Sequence, residues 1–119
     1  MAVMQKMDKP TVRVRYTLGA PQETLRQLQY GMEEEGIPWE AEVGTEEALT
    51  LAWEAAQNSR LDVGVGLDRD ELILQYAKLD RSKPLFRISA NSGEEAVRAL
   101  GANAARLVKK LPLKAMDRR

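Results

Sequence analysis

The chain has 119 residues, 44% of them hydrophobic and 30% charged, with eighteen Lys and Arg balancing eighteen Asp and Glu. That length and mix suit one folded domain with a modest core, and the neutral balance argues against a dedicated nucleic-acid binder. Cysteine and histidine are absent, which removes disulfides, thiolate metal sites, the commonest transition-metal ligand and the usual general base at neutral pH.

Residues 11–17, TVRVRYT, alternate apolar and basic side chains and predict a strand. A short GAP turn follows, and Pro21 suits a helix's first turn. The helix runs to about Glu35, with Leu25, Leu28 and Met32 on one stripe. Gly36 can take the left-handed conformation that closes a helix, and Pro38 forbids its continuation. Residues 37–43 predict a short strand. Thr45 is a good N-cap for the helix TEEALTLAWEAAQNS, and Glu46 and Glu47 favour its positive end. Its Ala48, Leu51, Ala52 and Ala55 form a small-residue face suited to close packing on a sheet.

Residues 61–67, LDVGVGL, predict a glycine-rich strand, residues 68–70 a turn and residues 71–76, ELILQY, a second strand, so the pair reads as a hairpin. Residues 84–89 are a third strand-like run. Ser92-Gly93-Glu94-Glu95 has the spacing of a capping box and opens the last helix. Val97, Leu100, Ala104, Leu107, Val108 and Leu111 share one face of that helix, which Pro112 ends. This alternation predicts a single three-layer α/β domain with a mostly parallel, mixed sheet and helices on both faces. The domain is expected over residues 11–113, with loose tails at 1–10 and 114–119. No apolar run approaches the roughly 18 residues of a spanning helix, and the N-terminus lacks an apolar signal-peptide core. A cytoplasmic protein without a membrane partner is expected.

Few residues invite chemistry. Glu33, Glu34 and Glu35 are three consecutive acids at a helix C-terminus, where the partial negative charge disfavours them by a few tenths of a kcal/mol. They point in three directions: Glu35 at the edge of the apolar stripe, Glu33 well away from it and Glu34 farthest round on the outer face. They cannot together chelate one ion. A solvated helix end and a single outward ligand or protein contact both fit, with Glu34 the best placed. The run at 63–67 lacks the third glycine of a nucleotide loop, Arg69 standing in its place, and reads as strand. Asp68, Asp70 and Glu71 match no calcium loop and read as a hairpin tip. Gly101 within a helix points to close approach of another backbone. Asn103 flanks the apolar face, where it satisfies a backbone group or reaches across an interface. Arg106, Lys109 and Lys110 make a basic stripe that solvation explains, or that meets an acidic partner. No nucleophile and base can be paired, so independent catalysis is not expected; a small carboxylate-dependent hydrolase is a poor third possibility.

Two blocks, GMEEEGIPW at 31–39 and LGANAARLVKKLPL at 100–113, resemble the small subunit of the reactivating factor for coenzyme B12-dependent diol and glycerol dehydratases. AWEAAQNSRLDVGVGLDRDELILQYAKL and PLF at 84–86 match the section between them, so the resemblance covers roughly residues 11–113. The first ten residues match nothing, and Trp39 and Glu40 carry no role from it. The resemblance implies a Rossmann-like fold similar to part of the dehydratase's medium subunit. It also implies a large partner subunit with an actin-like, ATP-hydrolysing domain that holds the ADP or ATP. The complex is expected to act as a chaperone, releasing damaged cobalamin from the inactivated dehydratase by a subunit swap. By motif alignment the resemblance makes Glu34 the residue expected to reach a Mg²⁺ or Ca²⁺ ion held by the large subunit, and no cofactor of this chain's own is expected. A longer dehydratase medium subunit that contributes to the cobalamin site is the alternative. Diol and glycerol dehydratase fit equally as clients, as do the open cytosol and a protein-shelled microcompartment.

Overall fold

Period-two alternation along the strands places two different surfaces on the two faces of one sheet. The computed structural model describes residues 10–116, in the order β1 (Val12–Tyr16), α1 (Gln22–Glu34), β2 (Trp39–Val43), α2 (Ala48–Asn58), β3 (Val63–Leu67), β4 (Glu71–Tyr76), β5 (Phe86–Ser89) and α3 (Glu94–Lys109). The strands lie in the order β2-β1-β3-β4-β5. β1 pairs with β2 and β3 in parallel, whereas the β3–β4 and β4–β5 ladders are antiparallel. The sheet is therefore evenly mixed by pairing rather than mostly parallel, because β3, β4 and β5 follow one another with no helix between them and the chain reverses at each connection.

On one face, Val12, Val14, Val63, Val65, Leu67, Leu72 and Leu74 form a core with Leu28 and Met32 of α1 and Val97, Leu100 and Ala104 of α3. The alternate positions point at α2. Ile73 packs on Ala48 and Ala52, and Gly64 and Gly66 leave room for the α2 backbone itself. Arg13 and Arg15 also lie on alternate positions of β1. Across the register, Arg13 faces Glu40 and Arg15 faces Glu42. Arg13, with a side chain only 7% exposed, pairs with both Glu40 and Glu42; Arg15 pairs with Glu42 at 3.3 Å and with Glu54 of α2 at 2.8 Å. Opposite charges facing across adjacent strands fix the edge strand β2 in register.

Helix α1 closes as predicted, with Gly36 at φ 73°. Three other ends differ from the sequence expectation. Helix α2 starts at Ala48, with Glu47 and not Thr45 at the N-cap, and no side chain of its own caps it. The cap comes from the hairpin turn instead: Asp68 Oδ2 accepts the Ala48 N–H at 2.8 Å, and Oδ1 accepts those of Asp70 and Glu71 at 2.8 and 2.7 Å. The capping box at Ser92 does not form, because Gly93 takes φ 101° at the N-cap and the Ser92 hydroxyl donates to Ser89 O at 2.8 Å. Helix α3 stops at Lys109, where Lys110 turns left-handed at φ 61°, so Leu111 and Pro112 lie beyond it.

Burial opposes ionisation of Asp68, but the amides of Ala48, Glu71 and Asp70 outweigh it, and its carboxyl sits below the usual value. A folded-state value below the unfolded one stabilises the fold above the ordinary carboxylate range and is lost as pH falls through the lowered value. Asp68→Ala is expected to cost about 1–2 kcal/mol at pH 7 in urea unfolding. Its deficit against the parent should shrink toward pH 3. An equal deficit at both pH values would remove the charge from this account.

Of the expected tails, residues 1–9 and 117–119 lie outside the described residues. Asn103, fully buried, donates Nδ2–H to Lys114 O at 3.0 Å and accepts the Lys114 N–H on Oδ1 at 2.6 Å. It thus satisfies backbone groups within the fold, holding the segment after α3 against it. No helix among the described residues is long and apolar enough to cross a membrane.

Candidate functional site

The last turn of α1 owes its position to two glycines. Gly31 of α1 and Gly101 of α3 stand where the helices cross: a Cβ on Gly101 would lie 3.2 Å from Met32 N and 3.3 Å from the Gly31 Cα, and closer still to Leu28 O. A Cβ on Gly31 would run into Arg98 O. The close approach expected of Gly101 is this crossing. It brings α3's cations to the acidic end of α1, which has no basic residue in its last turn.

The three acids separate as the helical geometry requires. Glu35 is the most enclosed, its side chain 17% exposed, with Oε2 accepting from Arg106 Nε at 3.2 Å. The Lys109 ammonium donates to the carbonyl oxygen of Glu35. Glu33 is exposed. Glu34, its side chain 52% exposed, meets Arg98 Nη1 through Oε2 at 3.3 Å. Of the basic stripe, Arg106 finds an acidic partner within the chain and Lys109 reaches the carbonyl of the same residue; with Arg98 they offset the unfavourable charge at the end of α1. Glu34 alone of the three combines exposure with an ion pair to α3.

Glu34 also lines a groove of about 600 Å³ between α3 and the segment that Asn103 holds, together with Ser92, Glu95, Arg98, Lys114 and Met116. Beside it Tyr30 is 40% exposed, with the Arg98 guanidinium 5.2 Å from its ring centroid. Arg98, Gln27 and Tyr30 were not legible as a group: Arg98 reads as one more surface cation, four residues after Glu94, and only the helix crossing joins it to α1.

Other candidates fall away. The glycines at 64 and 66 face the α2 backbone, which occupies the space a phosphate would need. Asp68 serves the turn and the α2 cap, and Glu71 pairs with Arg87 at 2.8 Å. No group of three or more His, Cys, Asp or Glu among the described residues is placed to hold a metal. Glu34 can offer a hard cation one carboxylate, and any further ligands would come from elsewhere.

Residues 9–114 match the family described as dehydratase medium subunit. The chain is 40% identical over 93 residues to the diol dehydratase-reactivating factor small subunit of Klebsiella michiganensis, covering 77% of this chain and 74% of that one. It superposes on a chain of diol dehydratase-reactivating factor complexed with ADP and Mg²⁺ with a TM-score of 0.85 and 36% identity, over 91% of this chain and 100% of the other. A glycerol dehydratase reactivase chain gives a TM-score of 0.84 at 35% identity, over 90% of this chain and 98% of that one.

Proposed function

The chain belongs to the dehydratase medium subunit family, in its branch of reactivating-factor small subunits, and we propose that it is the non-catalytic partner of a large, ATP-hydrolysing subunit. The pair acts on a coenzyme B12-dependent diol or glycerol dehydratase in the cytoplasm. It frees the enzyme of damaged cobalamin by exchanging this chain for the dehydratase's own subunit of similar fold. The observation that carries this reading is the likeness to reactivase chains along nearly the whole domain. In the same reading the fold is a three-layer, Rossmann-like one, with α1 and α3 on one side of the sheet and α2 on the other.

Glu34 supplies this chain's contact to a Mg²⁺ or Ca²⁺ ion held by the large subunit, where ADP or ATP also sits. A carboxylate suits such hard cations. Half-exposed, and in no group of three or more acids placed to hold a metal among the described residues, Glu34 is a ligand only in company. The isolated chain is therefore expected to bind Mg²⁺ feebly.

Co-expression with the large reactivase subunit tests the function. Weighing the product with and without Mg²⁺ and ADP should give a heteromer that depends on the metal. No complex under any nucleotide condition would overturn the reading. Cobalamin binding to this chain alone would move the assignment to a dehydratase subunit that contributes to the corrin site.

A further inference from the structure

We propose that Arg98 is the positioning residue for the Glu34 carboxylate, holding Oε2 so that Oε1 remains the free donor toward a divalent cation. The inference rests on the reading of Glu34 as a ligand to the partner's metal, and it adds a residue on a different helix to that site.

Arg98 is fixed from several sides. Its Nε donates to Gln27 Oε1 at 2.6 Å, and Gln27 donates in turn to Glu23 Oε2 at 2.6 Å. Its Nη2 lies 3.4 Å from Glu94 Oε2, one turn earlier on α3. The guanidinium stands over the Tyr30 ring at 5.2 Å, and its backbone carbonyl abuts Gly31 at the helix crossing. Nη1 is left for Glu34 Oε2 at 3.3 Å. Among the described residues Oε1 of Glu34 accepts nothing. A freely rotating glutamate at a helix end samples many rotamers, and ordering it on binding is unfavourable. An arginine locked on α1 by Gln27 and Tyr30 removes part of that disorder beforehand. Carboxylates that ligate metals are themselves hydrogen-bonded by such outer groups, whose loss weakens metal affinity about tenfold or more. A lysine would supply the charge but not the fork that joins Gln27 to Glu34.

The test uses the heteromer with the large subunit and four versions of this chain: parent, Arg98→Ala, Glu34→Gln and the double variant. The readout is the Mg²⁺ concentration for half-maximal assembly. Arg98→Ala is expected to raise that midpoint about tenfold, and Arg98→Lys to restore only part of it. In the Glu34→Gln background, Arg98→Ala should change nothing further. An unchanged midpoint for Arg98→Ala, or the same change in both backgrounds, would overturn the role of Arg98 and leave Glu34 as it stands. A Glu34→Gln chain that assembles with the parent's Mg²⁺ dependence would overturn both. Thermal unfolding of each chain alone separates damage to the helix pair from loss of positioning.

Discussion

Gly64→Ala is expected to destabilise the domain by about 3 kcal/mol, and Gly66→Ala by a similar amount. The strand packs on α2 without side chains between them. A Cβ at Gly64 would sit 2.6 Å from Ala55 C and 2.7 Å from Ala52 O, and nearer still to Ala56 N. At Gly66 it would sit 2.5 Å from Ala52 N and closer to Ala48 O. These are backbone atoms of a helix and have no rotamer into which to retreat. The only relief is for α2 to lift away, yet both its ends are tied: Ala48 N–H to Asp68, and Ser59 Oγ–H to Thr11 O at 2.7 Å. Lifting would also uncover Ile73 from Ala48 and Ala52. For a domain of this size, with about 5–15 kcal/mol of stability in all, the double variant should be largely unfolded. Gly19→Ala is the control, because nothing lies within 4 Å of an added Cβ there; it should stay within about 0.5 kcal/mol of the parent. Urea midpoints at unchanged m decide the matter. If Gly64→Ala and Gly19→Ala unfold alike, the close packing of α2 on β3 is wrong.

That contact was legible from the sequence because both sides declare themselves, glycine at alternate strand positions and alanine along one helix face. The strand β1 was legible for the same reason, with valine and arginine alternating. Capping was not. Thr45 and Ser92 are good caps by type, but a cap is any acceptor that reaches the first amides, and Asp68 arrives there from a turn twenty residues farther along. The acidic triplet was half legible. Its three directions follow from 100° per residue, whereas its compensation comes from Arg98, Arg106 and Lys109, which local sequence cannot bring near. Gly101 announced a crossing without saying what it crossed; Gly31, its counterpart, stood unremarked beside the acids. Strand order was the least legible, since short turns and long crossovers look alike until the hairpin β3–β4 and the following β5 fix which way each strand runs.

Glu34→Gln is expected to weaken assembly with the large subunit roughly 30- to 100-fold, about 2–3 kcal/mol, while leaving this domain folded. The two outcomes separate because the side chain carries unequal weight in the two settings. Among the described residues its only ion pair is with Arg98, at 3.3 Å and with both side chains more than a third exposed. Exposed pairs of that kind contribute at most about 1 kcal/mol, and a glutamine oxygen still accepts from the guanidinium. Thermal unfolding of the isolated variant should therefore stay within a few degrees of the parent. Across the interface the carboxylate charge is what a divalent cation requires, and a neutral amide leaves that cation short of a ligand. Glu34→Asp keeps the charge but shortens the reach by one methylene, so its assembly should fall between parent and Gln variant. Glu35→Gln reverses the pattern. That side chain is enclosed and paired with Arg106 at 3.2 Å, so its loss should lower the unfolding midpoint of the domain and leave the Mg²⁺ dependence of assembly unchanged. A Gln variant at position 34 that assembles as tightly as the parent at every Mg²⁺ concentration would take Glu34 out of the interface. The acidic turn would then be a stabilised helix end and nothing more.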